Sequence, residues 1–441
     1  MAKFLFVSAL GEAVGLAIRL MAEGHEVRFY IHTDAEKDIG DGFLEKVNDW
    51  REHVEWCDVL FFDDVPQKSE DESKYDSSKW YMEVREKYPN KIIIGGGHPN
   101  VSKLENDRMF AYKTLQQIGV PTVPMERFTN FDDAKKFVQE NGGGWAIKHN
   151  SQVDRDLAGV FFEPDEVIEF LDWLEENWKE LAEGKPVDFV LQQAVKGVEF
   201  AVTSFFDGEK FREDFCYLNQ EEKKELDGGL GRSTGQMGEI GIIIPRARLF
   251  RETLQKVEPL LREWGYVGFA DLNCIVTGPD PEDIVPLEFT IGRPGYPTVF
   301  SIGELLAEPY GEFFIRLAQK DPNPVRYKEG FVCTLVLTTG TFPDQHPTRN
   351  KTAVVHGLDK TGLRHVWLCE TRWDDGKVKG AGDMGYLAVI TGSGWTIEEA
   401  RARAYNTISQ LSVTPYAKYR LDIGIRAMEE FPQLAQWRWL S

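Results

Sequence analysis

Short apolar runs, bounded by polar or glycine-rich turns, set the pattern at the start of the chain. KFLFVSAL, EVRFYI, CDVLFFDD and KIIIGGGHP read as strands, the first buried and parallel. Between the first two, GEAVGLAIRLMAEGH has the apolar spacing of an amphipathic helix that stops at Gly24. Strands alternating with helices predict a doubly wound α/β domain over residues 1–105. The polar stretch PQKSEDESKYDSSKW reads as a surface loop or insertion.

From Asn106 the pattern changes. NDRMFAYKTLQQIGVPTVPMERF predicts a helix closed by Gly119 and then an extended prolyl segment; FDDAKKFVQENGGG predicts a second helix. WAIKHN reads as a strand ending on Lys148, and EPDEVIEFLDWLEENWKELAEG as a long helix with one apolar stripe. DFVLQQAVKGVEFAVTSFFDGEKF predicts a strand, a turn and an amphipathic strand pair. RARLFRETLQKVEPLLREWGY then predicts a helix, followed by the strands VGFADLNCIV and DIVPLEF around a Pro/Asp-rich hairpin. This is an α+β pattern with antiparallel sheet over residues 106–325. After the proline-rich DPNPVRYKEG, residues 326–441 mix strands with one helix, TIEEARARAYNTISQL, where Thr396 and Glu399 make a capping box.

Composition narrows the function classes. With 72 acidic against 51 basic residues and a formal charge of −21, the surface repels phosphate backbones, so nucleic acid is not an expected partner. The five cysteines are dispersed without a CxxC pair, as expected of reduced, buried thiols in a cytoplasmic protein. No run approaches the roughly 20 apolar residues of a membrane span, and the start lacks the flanks of a signal peptide. The eight histidines show no zinc-ligand spacing.

The candidate chemistry lies in two strands ending in acids, FADLN with Asp271 and PLEFT with Glu288. They flank one hairpin, so antiparallel pairing would set both carboxylates on one face. Like charges there need a cation between them. Mg²⁺ takes hard oxygen ligands and combines one or two carboxylates with substrate phosphates. The alternative is one solvated acid and one paired with Arg293. Lys113, on a helix, and Lys148, closing an apolar strand, are candidate phosphate partners. Glu199 follows Gln192 across a short turn in VLQQAVKGVEF.

That order of helix lysine, strand lysine, hinge with Glu, Asp strand and Glu strand resembles the ATP-grasp superfamily and, within it, the phosphoribosylamine–glycine ligase family. FAYKTLQQIGVPT, WAIK, VLQQAVKGVEF, LEFTIGRPGYP and TIEEARARAYNTISQL with YRLDIGIRAM carry the resemblance, and DGGLGRSTGQMGE is similar to a glycine-rich loop of the family. It implies an ATP-dependent carboxylate–amine ligase of purine biosynthesis, working through an acyl phosphate. The implied architecture is a doubly wound α/β domain, an ATP-grasp domain and a small C-terminal α+β domain. Lys113 and Lys148 would contact nucleotide phosphates, Gln192, Gln193 and Val195 would border adenine, and Glu199 would hold the ribose. Asp271, Glu288 and Thr290 would hold Mg²⁺ (or Mn²⁺), and Arg293 would act with Lys148 in catalysis. The substrates would be a small carboxylate, glycine or another, and an amine, handled by a monomer or homodimer.

The chain departs from the family at its substrate-facing motifs. Thr290 stands where the family has Asn, RPGYP replaces GDPE, and SALGEAVGLA stands in place of GGREHA. GDMG replaces GGR, and HNSQVDRDLAG lacks the lysine of the family's glycine-rich lid. Nucleotide and metal positions are largely kept while substrate contacts change, which suggests the same reaction type on another substrate. A non-catalytic nucleotide-binding protein and a bicarbonate-using carboxylase-like enzyme are the alternatives.

Overall fold

The computed structural model describes all residues except 67–73, 150–157, 183 and 359–363. Five parallel strands form the N-terminal sheet: β1 (Lys3–Ser8), β2 (Glu26–Ile31), β3 (Glu45–Lys46), β4 (Val59–Phe62) and β5 (Ile92–Ile94), in the order β3-β2-β1-β4-β5. All but the short β3 follow from the apolar runs. The order reverses between β1 and β4, so their carboxyl ends open a crevice of the kind in which doubly wound sheets bind ligands.

Four antiparallel strands make a second sheet in the order β6-β9-β7-β8: β6 (Met125–Phe128), β7 (Trp145–His149), β8 (Gly159–Phe161) and β9 (Phe189–Gln193). Two helices, Phe131–Asn141 and Pro164–Leu181, cover it. The second buries Val167, Leu171, Leu174 and Trp178, one per turn along a single stripe. The lid-like stretch HNSQVDRDLAG lies mostly outside the described residues, as does part of the polar segment before Ser77.

The third sheet has nine strands. β10 (Val198–Phe206), β11 (Phe211–Leu226), β12 (Leu230–Ile243), β13 (Gly268–Val276) and β14 (Ile284–Ile291) continue through β15 (Phe331–Thr339) into the strands Tyr386–Gly394 and Val366–Leu368. The sheet therefore runs from residues 106–325 into residues 326–441 without a break. One face, with Val202, Leu218, Leu272, Cys274 and Leu335, is a continuous apolar core. The opposite face changes character along the strands: Phe205, Phe215 and Phe269 pack toward the N-terminal layer, whereas Thr203, Asn219, Asp271 and Asn273 lie further along the same sides. Burying such a phenylalanine contributes about 1.5–3 kcal/mol, which anchors one end and leaves the other for polar work.

Four local expectations need correction. DGGLGRSTGQMGE is not a loop: the turn is confined to Asp227–Gly229, where Gly228 and Gly229 take φ of 69° and 71°, and pairing with β11 carries the rest as β12. The helix expected across RARLFRETLQKVEPLLREWGY is broken into Arg248–Glu252, a 3₁₀ turn Leu254–Val257 and Glu258–Glu263: Thr253, at φ −127° and ψ −91°, leaves the helical region, and Pro259 sits in the first turn of the last piece, where its missing amide costs least. A second C-terminal helix, Ala427–Gln436, joins the expected Ile397–Ile408. The capping box is half formed: Thr396 accepts from the Glu399 amide at 3.2 Å, while the Glu399 carboxylate takes the Trp395 amide at 2.9 Å. All five cysteines are buried and free.

Candidate functional site

Register decides which side chains meet on the polar face. β13 and β14 are antiparallel neighbours with Asp271 opposite Thr290 and Asn273 opposite Glu288. Asp271 and Glu288 thus share a face but are diagonal; the residue directly across from Glu288 is Asn273. An irregularity after Asn273 takes Cys274 to Pro286 and skips Leu287. On the next strand Thr203 lies opposite Asp271 and donates its hydroxyl to Oδ2 at 2.7 Å. Burial, reinforced by the nearby Glu221 charge, raises the Asp271 pKa well above the carboxylate range.

A lysine missing from the sequence-based set holds this face together. Lys223 on β11 places Nζ 2.9 Å from Glu199, 3.3 Å from Glu288 and 3.5 Å from Glu221. Burial alone would lower its pKa, but the carboxylates around it outweigh burial and hold it well above the ordinary value. In return Lys223, more than any other group, keeps Glu288 strongly ionised. Glu221 is pushed up to about 7 by burial. It accepts from the Asn273 amide at 2.9 Å and from Asn219 at 3.2 Å.

The second cation beside Glu288 is Arg108, at 3.5 Å, whose Nε also donates to the His149 carbonyl at 2.9 Å. Arg108 opens the helix Arg108–Gln117 and lines, with Ala111, Tyr112 and Leu115, a cleft against Leu287 and Glu288. Lys113 lies off that stripe and is exposed, so the helix brings Arg108 to the position at which the sequence suggests Lys113. The turn after β14 likewise departs from expectation. Arg293 does not neighbour Glu288; it pairs with Glu105 at 2.9 Å and Glu12 at 3.3 Å, because Gly292, at φ 85°, turns the chain away.

Across the cleft, Lys148 donates to the Gln192 side-chain carbonyl at 2.9 Å, and the Gln192 amide donates to the Pro286 carbonyl at 3.2 Å. Gln192 thereby ties the four-stranded sheet to β14. Burial lowers the Lys148 pKa to about 8, and the like charge of Arg108 adds to it. Gln193 is exposed and Val195 half-buried on the connection between β9 and β10, whose Gln193 and Ala194 amides bond to Pro124 and Gly144. Glu199, Glu288, Lys148, Lys223 and Arg108 form one electrostatic neighbourhood.

Among the described residues, no three carboxylate, imidazole or thiolate groups are arranged to hold a metal ion by themselves. A magnesium ion shared with substrate phosphates needs fewer protein ligands. The face suits that arrangement: buried Asn273, opposite Glu288, has an unpaired Oδ1, a hard oxygen beside an ionised carboxylate.

At the crevice of the N-terminal sheet, Gly95 and Gly96 dock onto the large sheet. Their amides bond to the Val267 and Gly292 carbonyls at 2.9 and 2.6 Å, and a Cβ on Gly95 would lie 2.1 Å from the Phe62 carbonyl. The GGGHP segment is therefore a docking turn. His98 caps the helix Pro99–Asn106, its Nδ1 accepting from the Asn100 amide at 3.1 Å.

Residues 106–262 match the family model of phosphoribosylglycinamide synthetase, ATP-grasp (A) domain. The phosphoribosylamine–glycine ligase of Listeria monocytogenes serotype 4b is 23% identical over 343 residues, 75% of this chain and 78% of that protein. The enzyme of that name from Nostoc sp. is 25% identical over 346 residues, 76% and 79% respectively. The solved structure of phosphoribosylamine–glycine ligase from Thermotoga maritima has a TM-score of 0.69 at 20% identity, covering 96% of this chain and 100% of that one. An N5-carboxyaminoimidazole ribonucleotide synthetase from the same organism shares the fold at a TM-score of 0.55 and 14% identity, covering 94% and 99%. Residues 106–262 are thus similar to that ATP-grasp domain, and the chain shares its fold along nearly its whole length with a phosphoribosylamine–glycine ligase.

Proposed function

We propose that the protein is an ATP-dependent carboxylate–amine ligase that forms an amide through an acyl phosphate. The observation that carries this reading is the neighbourhood of Lys148 and Glu288: two sheets contribute a half-buried lysine and an ionised acid to one cleft, linked by Gln192. In the reaction a substrate carboxylate oxygen attacks the γ-phosphorus of ATP; the bond to the β,γ-bridging oxygen breaks and ADP leaves. The amine nitrogen then attacks the acyl carbon, the C–O bond to phosphorus breaks, and inorganic phosphate departs with the bonding pair. The amine's surplus proton passes to a carboxylate or to water. Such transfer depends mostly on positioning and charge neutralisation.

Lys148 and Arg108 offset the phosphate charge, and Gln192 orients Lys148. The connection from Gln192 to Val195 borders the base, and Glu199 takes the ribose hydroxyls once Lys223 yields to them. Glu288 with Asp271 and Asn273 would hold Mg²⁺, which would supply charge neutralisation for the phosphates. Arg293, held by Glu105 and Glu12, acts by fixing the substrate end of the cleft. The residue limits 1–105, 106–325 and 326–441 serve as functional units, with the large sheet spanning the last two.

The test is Mg·ATP-dependent ADP release with glycine and a panel of amines, with mass spectrometry of the product. The expected result is one amide per ADP, lost in Glu288→Ala. ATP binding without ADP release for any pair would favour the non-catalytic alternative.

A further inference from the structure

The crevice between β1 and β4 carries an unbalanced set of acids. After β1 the chain turns through Gly11, and the amide of Ala13, at the start of the helix Val14–Ala22, donates to Asp63 at 3.0 Å. The place where that helix end would receive an anion is therefore filled by a carboxylate from the end of β4. Asp64 and Glu12 bear electrostatically on Asp63, and from the C-terminal region Glu370 bears on Glu12 and Glu36. The cations nearby are engaged: Arg293 by Glu105 and Glu12, and Lys351 by Asp383 at 2.8 Å.

The second observation is independent of charge. Among the described residues, Asp63 Oδ1, Glu36 Oε2 and Thr371 Oγ1 are buried without hydrogen-bond partners, although Asp63 and Thr371 are fully enclosed. The hydroxyls of Tyr296 and Tyr386, each under the influence of Glu12, are also unpaired. The carboxylate oxygens of Asp63 and Glu36 call for a donor, and the three hydroxyls can accept one beside them or donate in turn. A primary ammonium supplies three N–H donors and a positive charge; a phosphate supplies further acceptors and negative charge. Burial, with Glu12 adding to it, raises Asp63 to about 8 despite the Arg293 charge, and burial with Glu36 raises Glu370 to about 8 although the Gly385 and Tyr386 amides donate to it at 2.8 and 3.3 Å.

We infer that the amine taken at this seam is a phosphate-free aliphatic amine bearing at least one further ammonium group. This rests on the ligase reading above and deepens it: the acids at the crevice hold the distal ammonium, and the free end reaches the acyl group. It also accounts for the loss of the family's GGREHA and GGR signatures at SALGEAVGLA and GDMG, the segments that contribute Glu12 and precede Tyr386.

Isothermal titration of the full-length protein tests it, with 1,4-diaminobutane and O-phosphoethanolamine as probes, each with and without Mg·ADP. The expected result is diamine binding at least ten-fold tighter than O-phosphoethanolamine. Asp63→Asn and Glu370→Gln should each weaken the diamine at least ten-fold while Mg·ADP affinity stays unchanged. Circular dichroism melts check folding, and Tyr386→Phe, which removes one unpaired hydroxyl, gives a milder variant with a several-fold loss. Preference for O-phosphoethanolamine, absence of diamine binding in both conditions, or diamine binding indifferent to all three substitutions overturns the inference. Failure to bind Mg·ADP overturns the ligase reading instead, and is measured in a separate titration.

Discussion

Two polar regions of the molecule are built oppositely. At the cleft around Glu288, cations and carboxylates are interleaved: Lys223 has three acids around it, and Glu288 has Lys223 and Arg108. At the crevice around Asp63, acids outnumber cations, and enclosed oxygens have no partner. The first region is nearly balanced in itself and suits a ligand that brings both phosphate and metal. The second is unbalanced and suits a ligand that brings positive charge. The first set is half-buried and the second holds enclosed groups such as Asp63, and the two differ in what each still lacks.

The largest expected effect comes from breaking the balanced side. Glu288→Ala should reduce Mg·ATP-dependent ADP release by about 100-fold or more, since it removes an acid that both orders Lys223 and offers a metal ligand. A coupled ADP assay measures this. An undiminished rate would detach Glu288 from the chemistry.

Lys148→Met comes next and sharpens the comparison through pH. In the ligand-free protein Lys148 titrates near 8, lowered by burial and by Arg108. A bound triphosphate raises that value, so nucleotide affinity should be constant below pH 8 and fall as pH rises above it. The fall should approach ten-fold per pH unit. Titrations between pH 6.5 and 9.5 should show this decline in the wild type and not in Lys148→Met, whose affinity should be lower throughout.

Asp63→Asn probes the unbalanced side in the opposite sense. Asp63 has a folded-state pKa of about 8, raised by burial and by Glu12. Between its unfolded value near 4 and that folded value, the folded state holds the extra proton, so this group's contribution to stability falls as pH rises through that window. The variant should therefore be more stable than the wild type at pH 8, by about 1–3 kcal/mol, with a smaller difference at pH 5. Urea unfolding at both pH values measures it. Greater destabilisation at pH 8 than at pH 5 would mean that Asp63 is balanced by a cation after all.

The smallest effect should come from Lys113→Ala. The side chain is exposed and lies off the helix stripe that carries Arg108, so ADP release should change by less than about two-fold, whereas Arg108→Ala should reduce it about ten-fold or more.

What was legible in the sequence divides along the same line as the two regions. Local patterns located the strands around Asp271 and Glu288, because alternation and a short hairpin suffice for that. The pairing of Gln192 with Lys148 was legible only as order along the chain. Lys223 was not visible: QEEKKEL reads as a solvated charge run, and only pairing of β11 with β10 and β12 turns Glu221 and Lys223 inward. Arg108 could have been found from helix periodicity, since Ala111 and Leu115 mark the buried stripe three and seven residues on. The acids at the crevice come from distant segments, Glu12, Glu36, Asp63 and Glu370, and no local pattern predicts their meeting. Arg293 illustrates the limit: a turn beside Glu288 in sequence directs its cation to Glu105 and Glu12 in space.

The most direct test of the central claim follows oxygen. With the carboxylate substrate labelled with ¹⁸O, an acyl-phosphate ligase transfers one carboxylate oxygen to inorganic phosphate for each amide formed, because the acyl C–O bond breaks in the second step. We predict one ¹⁸O per phosphate released, measured by mass spectrometry, with the signal lost in Glu288→Ala. Unlabelled phosphate accompanying amide formation would contradict the acyl-phosphate route.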